Sequence, residues 1–201
     1  MGREAGVVGG GGLAGRLGRM SLVDEIMGYN RAFVARGGYV SVETDRLPSK
    51  RLAVVTCMDT RLVELLPMAM NLRNGDAKMI KIAGAVVAHP YGSVMRSILV
   101  AVYDLGVEEV AVVGHHDCGM TGLSCERLVE KMRQRGISEQ VLEGLEEGEM
   151  RRFLVGFESA EEGVRGSVGL IRGHPLLPRG VRVHGMLIDP RTGKLEVVGG
   201  E

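Results

Sequence analysis

Apolar residues recur every three or four positions from Ser21 onward, at Leu22, Ile26, Tyr29 and Phe33. This spacing predicts an amphipathic helix over 21–36, with Ser21 as its cap and Gly37-Gly38 as its stop. A polar loop runs through Pro48, and then two periods alternate. Apolar runs at 51–57, 78–83 and 109–114 predict strands, and the segments 62–72 and 93–105 predict helices. Pro67 should kink the first of these helices or sit near its first turn. The second places Val94, Ile98, Ala101, Val102 and Leu105 on one face. Segment 119–172 is charged and mostly helical in pattern. Two further strands are predicted over 182–188 and 194–198, joined by the turn sequence Asp189-Pro190-Arg191-Thr192-Gly193.

Strands that read as unbroken apolar runs are usually buried on both faces, as in a parallel sheet covered by helices. The expected fold class is therefore α/β. It has a mainly parallel central β-sheet flanked by helices, an N-terminal helical arm and a C-terminal antiparallel edge hairpin. Residues 1–19 are expected to be a flexible Gly-rich tail, with Met20 as an alternative start. Residues 20–201 are expected to form a single α/β domain. The tail holds a formal G-x-G-x-x-G at Gly10–Gly15. Only Val7-Val8 precede it, and Gly15 and Gly18 weaken any following helix, so the context of a dinucleotide loop is missing.

Composition narrows the classes of function. The chain has 201 residues, with 25 Lys plus Arg against 25 Asp plus Glu, so its formal charge is zero. That balance offers no electrostatic attraction to nucleic acid or to an anionic membrane. No apolar stretch reaches the roughly 18 residues of a membrane span, and the N-terminus lacks a secretory apolar segment. A soluble, cytoplasmic protein is expected. Three cysteines, an odd number, do not make a disulfide framework. In a reducing compartment, a Cys pair near a His reads better as a metal site.

Two predicted strands end in such residues. One segment reads Val54-Val55-Thr56-Cys57-Met58-Asp59-Thr60-Arg61, and the other Val112-Val113-Gly114-His115-His116-Asp117-Cys118-Gly119. In a doubly wound sheet, ligands collect at the carboxyl ends of strands. Two thiolates and one imidazole form an open zinc set, because the fourth tetrahedral position is left for water. Asp59 lies two residues beyond Cys57 and so points to the same side in extended chain. It is either a fourth ligand or a hydrogen-bond acceptor for the bound water. Arg61 can hold it in one orientation as a bidentate partner. Taken singly, Asp59, Thr60 and Asp117 could each be no more than helix caps, and each Cys no more than a small buried hydrophobe. Together, at the ends of two strands, they point to zinc and an activated water. A cysteine phosphatase fits less well, since Met58-Asp59-Thr60 is too short for a phosphate cradle and Asp59 would repel the anion.

At these residues the chain resembles the β-class carbonic anhydrases. Their Cys-x-Asp-x-Arg appears as Cys57-Met58-Asp59-Thr60-Arg61, and their His-x-x-Cys-Gly as His115-His116-Asp117-Cys118-Gly119. The likeness continues through Lys81-Ile82-Ala83-Gly84-Ala85, the 93–105 helix and Val183-His184-Gly185, and covers about residues 20–199. Ile82 stands where the family commonly has Asn. The resemblance implies one Zn2+ per chain bound by Cys57, His115 and Cys118, with Asp59 and Arg61 as a catalytic dyad. It also implies reversible hydration of carbon dioxide to bicarbonate, and a homodimer or higher even-numbered assembly embraced by the N-terminal helices. Hydrolysis of carbon disulfide or carbonyl sulfide at the same zinc is the alternative, as is a non-catalytic zinc- or bicarbonate-binding homologue. Two thiolate ligands should make the metal a weaker acid than three imidazoles would, which favours alkaline activity.

The remaining candidates have structural readings. His116 could shuttle a proton but reads better as a packed loop residue. His89 and His174 read as loop residues, and His184 as a strand residue. Cys125 should be a packed helical thiol, and the acidic run 143–149 a solvated helical face.

Overall fold

The computed structural model describes residues 20–143 and 153–198. The tail expected over 1–19 lies outside these residues, as does 144–149 of the acidic run. By internal contacts the chain divides into two units, Met1–Glu43 and Thr44–Glu201.

In the first unit, α1 spans Leu22–Ala35. Ser21 caps it as expected. Its side chain accepts from Asp24 N while Asp24 reaches back to Ser21 N, a complete capping box. The apolar positions that predicted this helix find no core. None of its residues is buried, and Leu22, Val23, Ile26 and Met27 stand exposed. Arg36 instead lies over the rings of Tyr29 and Phe33.

The second unit is an α/β sandwich. Its strands are β1 (Leu52–Cys57), β2 (Ala77–Ile82), β3 (Glu109–His115), β4 (Arg182–Ile188) and β5 (Leu195–Val197). They form one five-stranded sheet in the order β2-β1-β3-β4-β5. All pairs are parallel except β4 with β5. The C-terminal hairpin is therefore present, with β5 alone at the edge. Burial follows position in the sheet. The central β1 and β3 are buried almost throughout, as their unbroken apolar runs require. At the other edge β2 only alternates, and Lys78 and Lys81 sit among its apolar residues.

The helices are α2 (Leu62–Ala69), α3 (Ser93–Tyr103), α4 (Cys125–Gln134), a short α5 (Glu139–Leu142) and α6 (Ala160–Arg172). On one side of the sheet, Ala53, Val55, Val110 and Val112 pack with Met95, Ile98 and Ala101 of α3 and Val164, Val168 and Ile171 of α6. On the other, Val54, Ala111 and Val113 pack with Leu62 and Leu66 of α2 and with Cys57 and Cys118. Among the described residues, no helix is long and apolar enough to cross a membrane.

Two expectations shift. Helix α2 stops at Ala69 rather than 72, because Asn71 takes a left-handed backbone (φ 51°) and ends the helix as Asn can. Pro67 falls inside it and not in its first turn. On α3 the fully buried face is Met95, Ile98 and Ala101, so Met95 takes the place expected of Val94.

Two glycines let α6 close on the sheet. A Cβ on Gly114 of β3 would lie 2.7 Å from Val164 Cγ2, and one on Gly185 of β4 would lie 2.9 Å from Val164 Cγ1 and 2.9 Å from Val198 O. Val164 thus fills the space both glycines leave. Gly185→Ala should destabilise the fold by about 1–3 kcal/mol through overpacking, measured as a lower urea midpoint. An unchanged midpoint would show that α6 does not seat this closely.

Candidate metal centre

Parallel pairing decides where the functional side chains meet. Cys57 ends β1, His115 ends β3, and these strands are neighbours in register, Thr56 opposite Val113. The chain then turns at Asp117, a non-glycine residue with φ 55°, and brings Cys118 back toward the sheet end. Cys57, His115 and Cys118 are all buried, and their ligand atoms lie within 4.8 Å of one another. The two sulfurs are 4.0 Å apart.

His115 shows how this cluster is left. Its Nδ1 is 2.8 Å from the His116 carbonyl, which makes Nδ1 the protonated nitrogen and leaves Nε2 with a lone pair. Nε2 is buried and has no hydrogen-bond partner. An unsatisfied buried nitrogen is costly, and a metal ion is one way to satisfy it. The backbone carbonyl on Nδ1 is also the kind of partner that orients a metal-bound imidazole. Two zinc–sulfur bonds of about 2.3 Å at the tetrahedral angle span about 3.8 Å, close to the separation found. The donor set fits zinc in element, number and spacing.

The thiols share charge unequally. Cys57 is lowered to about 4, first by a hydrogen bond from Cys118, against the opposing effect of burial. The same contact, with burial, raises Cys118. Nearby backbone N–H groups favour the thiolate forms, those of Asp59 and Gly84 at Cys57 and that of Met120 at Cys118. Burial lowers the basicity of His115, but the nearby Cys57 sulfur, the His116 carbonyl and Asp59 outweigh it, and the net shift is upward.

Asp59 and Arg61 are paired. Asp59 Oδ1 accepts from Arg61 Nε at 3.0 Å and Oδ2 accepts from Nη2 at 2.8 Å. Oδ1 also takes the Arg61 backbone N–H at 2.9 Å, but Asp59 is not the cap of α2, whose cap position is Arg61 with no side-chain cap bond. Arg61 holds the Asp59 carboxyl at about 2, below the usual carboxylate range. A lowered pKa stabilises the fold above the unfolded value and is lost only as pH falls through the folded one. Asp59 is thus ionised across the neutral range. Its Oδ2 stands 3.7 Å from His115 Nε2.

Sequence reasoning missed a third member of this pairing. Arg61 Nη1 lies 3.2 Å from Asp117 Oδ2, and Nη2 donates to the Asp117 carbonyl at 3.0 Å. Arg61 therefore ties the two motif loops together, and Asp117 caps no helix, since Ser124 caps α4. Its place inside His115–Cys118 was the available signal. The backbone donors Gly84 and Met120 left no side-chain signal to find.

The other candidates lie as follows. His116 is exposed, with Nε2 3.8 Å from Glu196 Oε2. His89 Nδ1 accepts the Tyr91 N–H in a turn. His174 is buried, with Nε2 against the Pro90 carbonyl. His184 pairs with Glu109. Cys125 opens α4 and is buried, away from the triad.

Comparisons with known proteins bear on this arrangement. The family model described as carbonic anhydrase matches residues 52–195. A Bacillus subtilis (strain 168) protein named "Putative carbonic anhydrase YvdA" is 52% identical over 182 residues, 90% of this chain and 92% of its own length. A carbon disulfide hydrolase of Acidithiobacillus thiooxidans is 26% identical over 155 residues, 73% of this chain and 76% of its own. Among solved structures, β-carbonic anhydrase isoform I of Trichomonas vaginalis superposes with a TM-score of 0.82 at 33% identity, covering 89% of this chain and 98% of that one.

One zinc per chain is expected in the purified protein by elemental analysis. The double variant Cys57→Ala, Cys118→Ala should retain almost none. Full retention in that variant would place the metal elsewhere.

Proposed function

This chain belongs to the β-class carbonic anhydrase family, and from that premise we propose that it catalyses the reversible hydration of carbon dioxide to bicarbonate and a proton. The observation that carries the reading is the buried, unpartnered His115 Nε2 facing two cysteine sulfurs beside a carboxylate that Arg61 holds in place. Cys57, His115 and Cys118 would hold the zinc. When bound there, zinc supplies Lewis acidity and makes a water acidic enough to serve as a nucleophile near neutral pH.

The protein's own groups supply the rest. Asp59, fixed in two directions by the guanidinium, accepts a hydrogen bond from the attacking water and aims its lone pair at the carbon. Ionised throughout the neutral range, it keeps this role without titrating. Arg61 touches none of the triad atoms, so its part is to orient Asp59 and, through Asp117, to hold the two loops in register. Met120 and Phe157 pack against the cluster that contains Cys57 and Cys118, and apolar surroundings suit a small non-polar substrate. Carbon disulfide is the competing substrate, a reading supported by the name of the more distant relative, and an assay run in parallel separates the two.

The uncovered apolar face of α1 is read as the contact with a second copy of the chain. An exposed row of Leu22, Val23, Ile26 and Met27 is larger than isolated surface hydrophobes explain. Deleting 1–19 should leave size and activity unchanged, whereas deleting 1–36 should give aggregation in light scattering. A monodisperse, active monomer after the longer deletion would contradict this assembly.

Stopped-flow hydration assays test the chemistry. Metal-replete Arg61→Ala should lose about 100-fold or more in kcat/KM while keeping its zinc, since misplacing an orienting group costs that much. Undiminished rates would remove the dyad from the mechanism. For the parent protein, kcat/KM should rise from pH 6.5 to 8.5, because thiolate ligands push the water's ionisation upward and Asp59 does not titrate there. A flat profile at constant zinc content would contradict that account.

A further inference from the structure

Ser167 lies inside α6 and is only 2% exposed. Its Oγ accepts from Val87 N at 3.0 Å, and lies 3.2 Å from the Ala85 carbonyl and 2.8 Å from the Gly163 carbonyl. A hydroxyl has one proton and two lone pairs. The proton serves one of the two carbonyls while a lone pair holds Val87. Bonding back to Gly163 is ordinary inside a helix. Reaching Ala85 and Val87, 82 and 80 residues away, is not.

The segment it holds is unusual. Gly84 and Ala85 follow β2 with φ of 64° and 59°. Ala85 carries a Cβ, so the left-handed backbone persists only where the surroundings impose it. Both residues are buried. A Cβ on Gly84 would lie 2.7 Å from Phe157 and 3.0 Å from Met120, so the turn is pressed from that side as well. Just before the turn, Ile82 is the register partner of Cys57, and its carbonyl accepts from Met58 N at 2.8 Å. The turn therefore starts beside the first sulfur of the cluster, and the Gly84 N–H lies near enough to favour that sulfur as a thiolate.

We propose that Ser167 is a positioning residue for the metal-binding thiolate. Its hydroxyl fixes the left-handed turn at Gly84 and Ala85 so that the Gly84 N–H points at Cys57 Sγ. This rests on reading Cys57, His115 and Cys118 as the zinc site. An N–H donor withdraws charge from a coordinated thiolate, and such outer contacts set metal affinity as well as ligand orientation. Ser167 acts only through backbone, far along the chain from either motif.

The test uses the full-length protein loaded with cobalt(II), and it reads the thiolate-to-cobalt absorption band and the metal affinity against a competing chelator. Ser167→Ala should move the band to lower energy and weaken metal binding by about 10-fold. If Ser167→Ala does not fold, Ser167→Cys keeps the volume and weakens the hydrogen bond, and should move both readouts in the same direction. Val129→Ala, which truncates a buried residue in the separate cluster under α4, should lower stability and leave band and affinity at the parent values. A parent-like band and affinity in the Ser167 variant would overturn the proposal, as would an equal change in Val129→Ala. Neither readout needs hydration activity. If the parent protein shows no thiolate band at all, the zinc reading itself fails, and the proposal fails with it.

Discussion

Three donor atoms converge in a buried space where one of them, His115 Nε2, has no protein partner. That convergence is the constraint on which the rest of the structure depends. Left alone it is unfavourable, since a lone pair is stripped of water and given nothing in return. The surrounding groups are consistent with this cost being met by a cation. Nearby backbone N–H groups favour both sulfurs as thiolates, the Nδ1 proton is committed to a carbonyl, and an ionised carboxylate lies beside the imidazole.

The fold places these atoms through simple means. Parallel strands β1 and β3 are neighbours, so residues at their carboxyl ends come together even though 58 positions of sequence, from 57 to 115, separate them. Helix α6 presses on β3 and β4 through Val164 against two glycines, and the same helix carries Ser167 to the turn after β2. The element that secures the sheet is thus also the one that reaches the ligand loops. Arg61 completes the closure from the other side by bonding Asp59 and Asp117 at once.

Much of this was legible in the chain itself. The runs ending in Cys57 and His115 predict both the strands and their buried, parallel character, because central strands must be apolar on both faces. The two short motifs place Cys57, His115 and Cys118 at or just beyond the strand ends, where crossover topology brings them together. The parts that were not legible depend on contacts between distant backbone groups. The Arg61–Asp117 tie arises from a left-handed turn at a non-glycine residue, which composition does not announce. The donor from Gly84 belongs to a peptide N–H, and every residue but proline has one. Helix α2 ended early because Asn71 adopted a conformation that its sequence neighbours permit but do not require. For α1 the pattern showed an apolar face and could not show what covers it.

The central claim is that Cys57, His115 and Cys118 are the protein ligands of one zinc. X-ray absorption at the zinc edge of the purified protein tests it most directly. Two sulfur scatterers at about 2.3 Å and an imidazole nitrogen at about 2.0–2.1 Å are predicted, with one further light atom completing the shell. A first shell of nitrogen and oxygen alone, or of four sulfurs, would contradict the account.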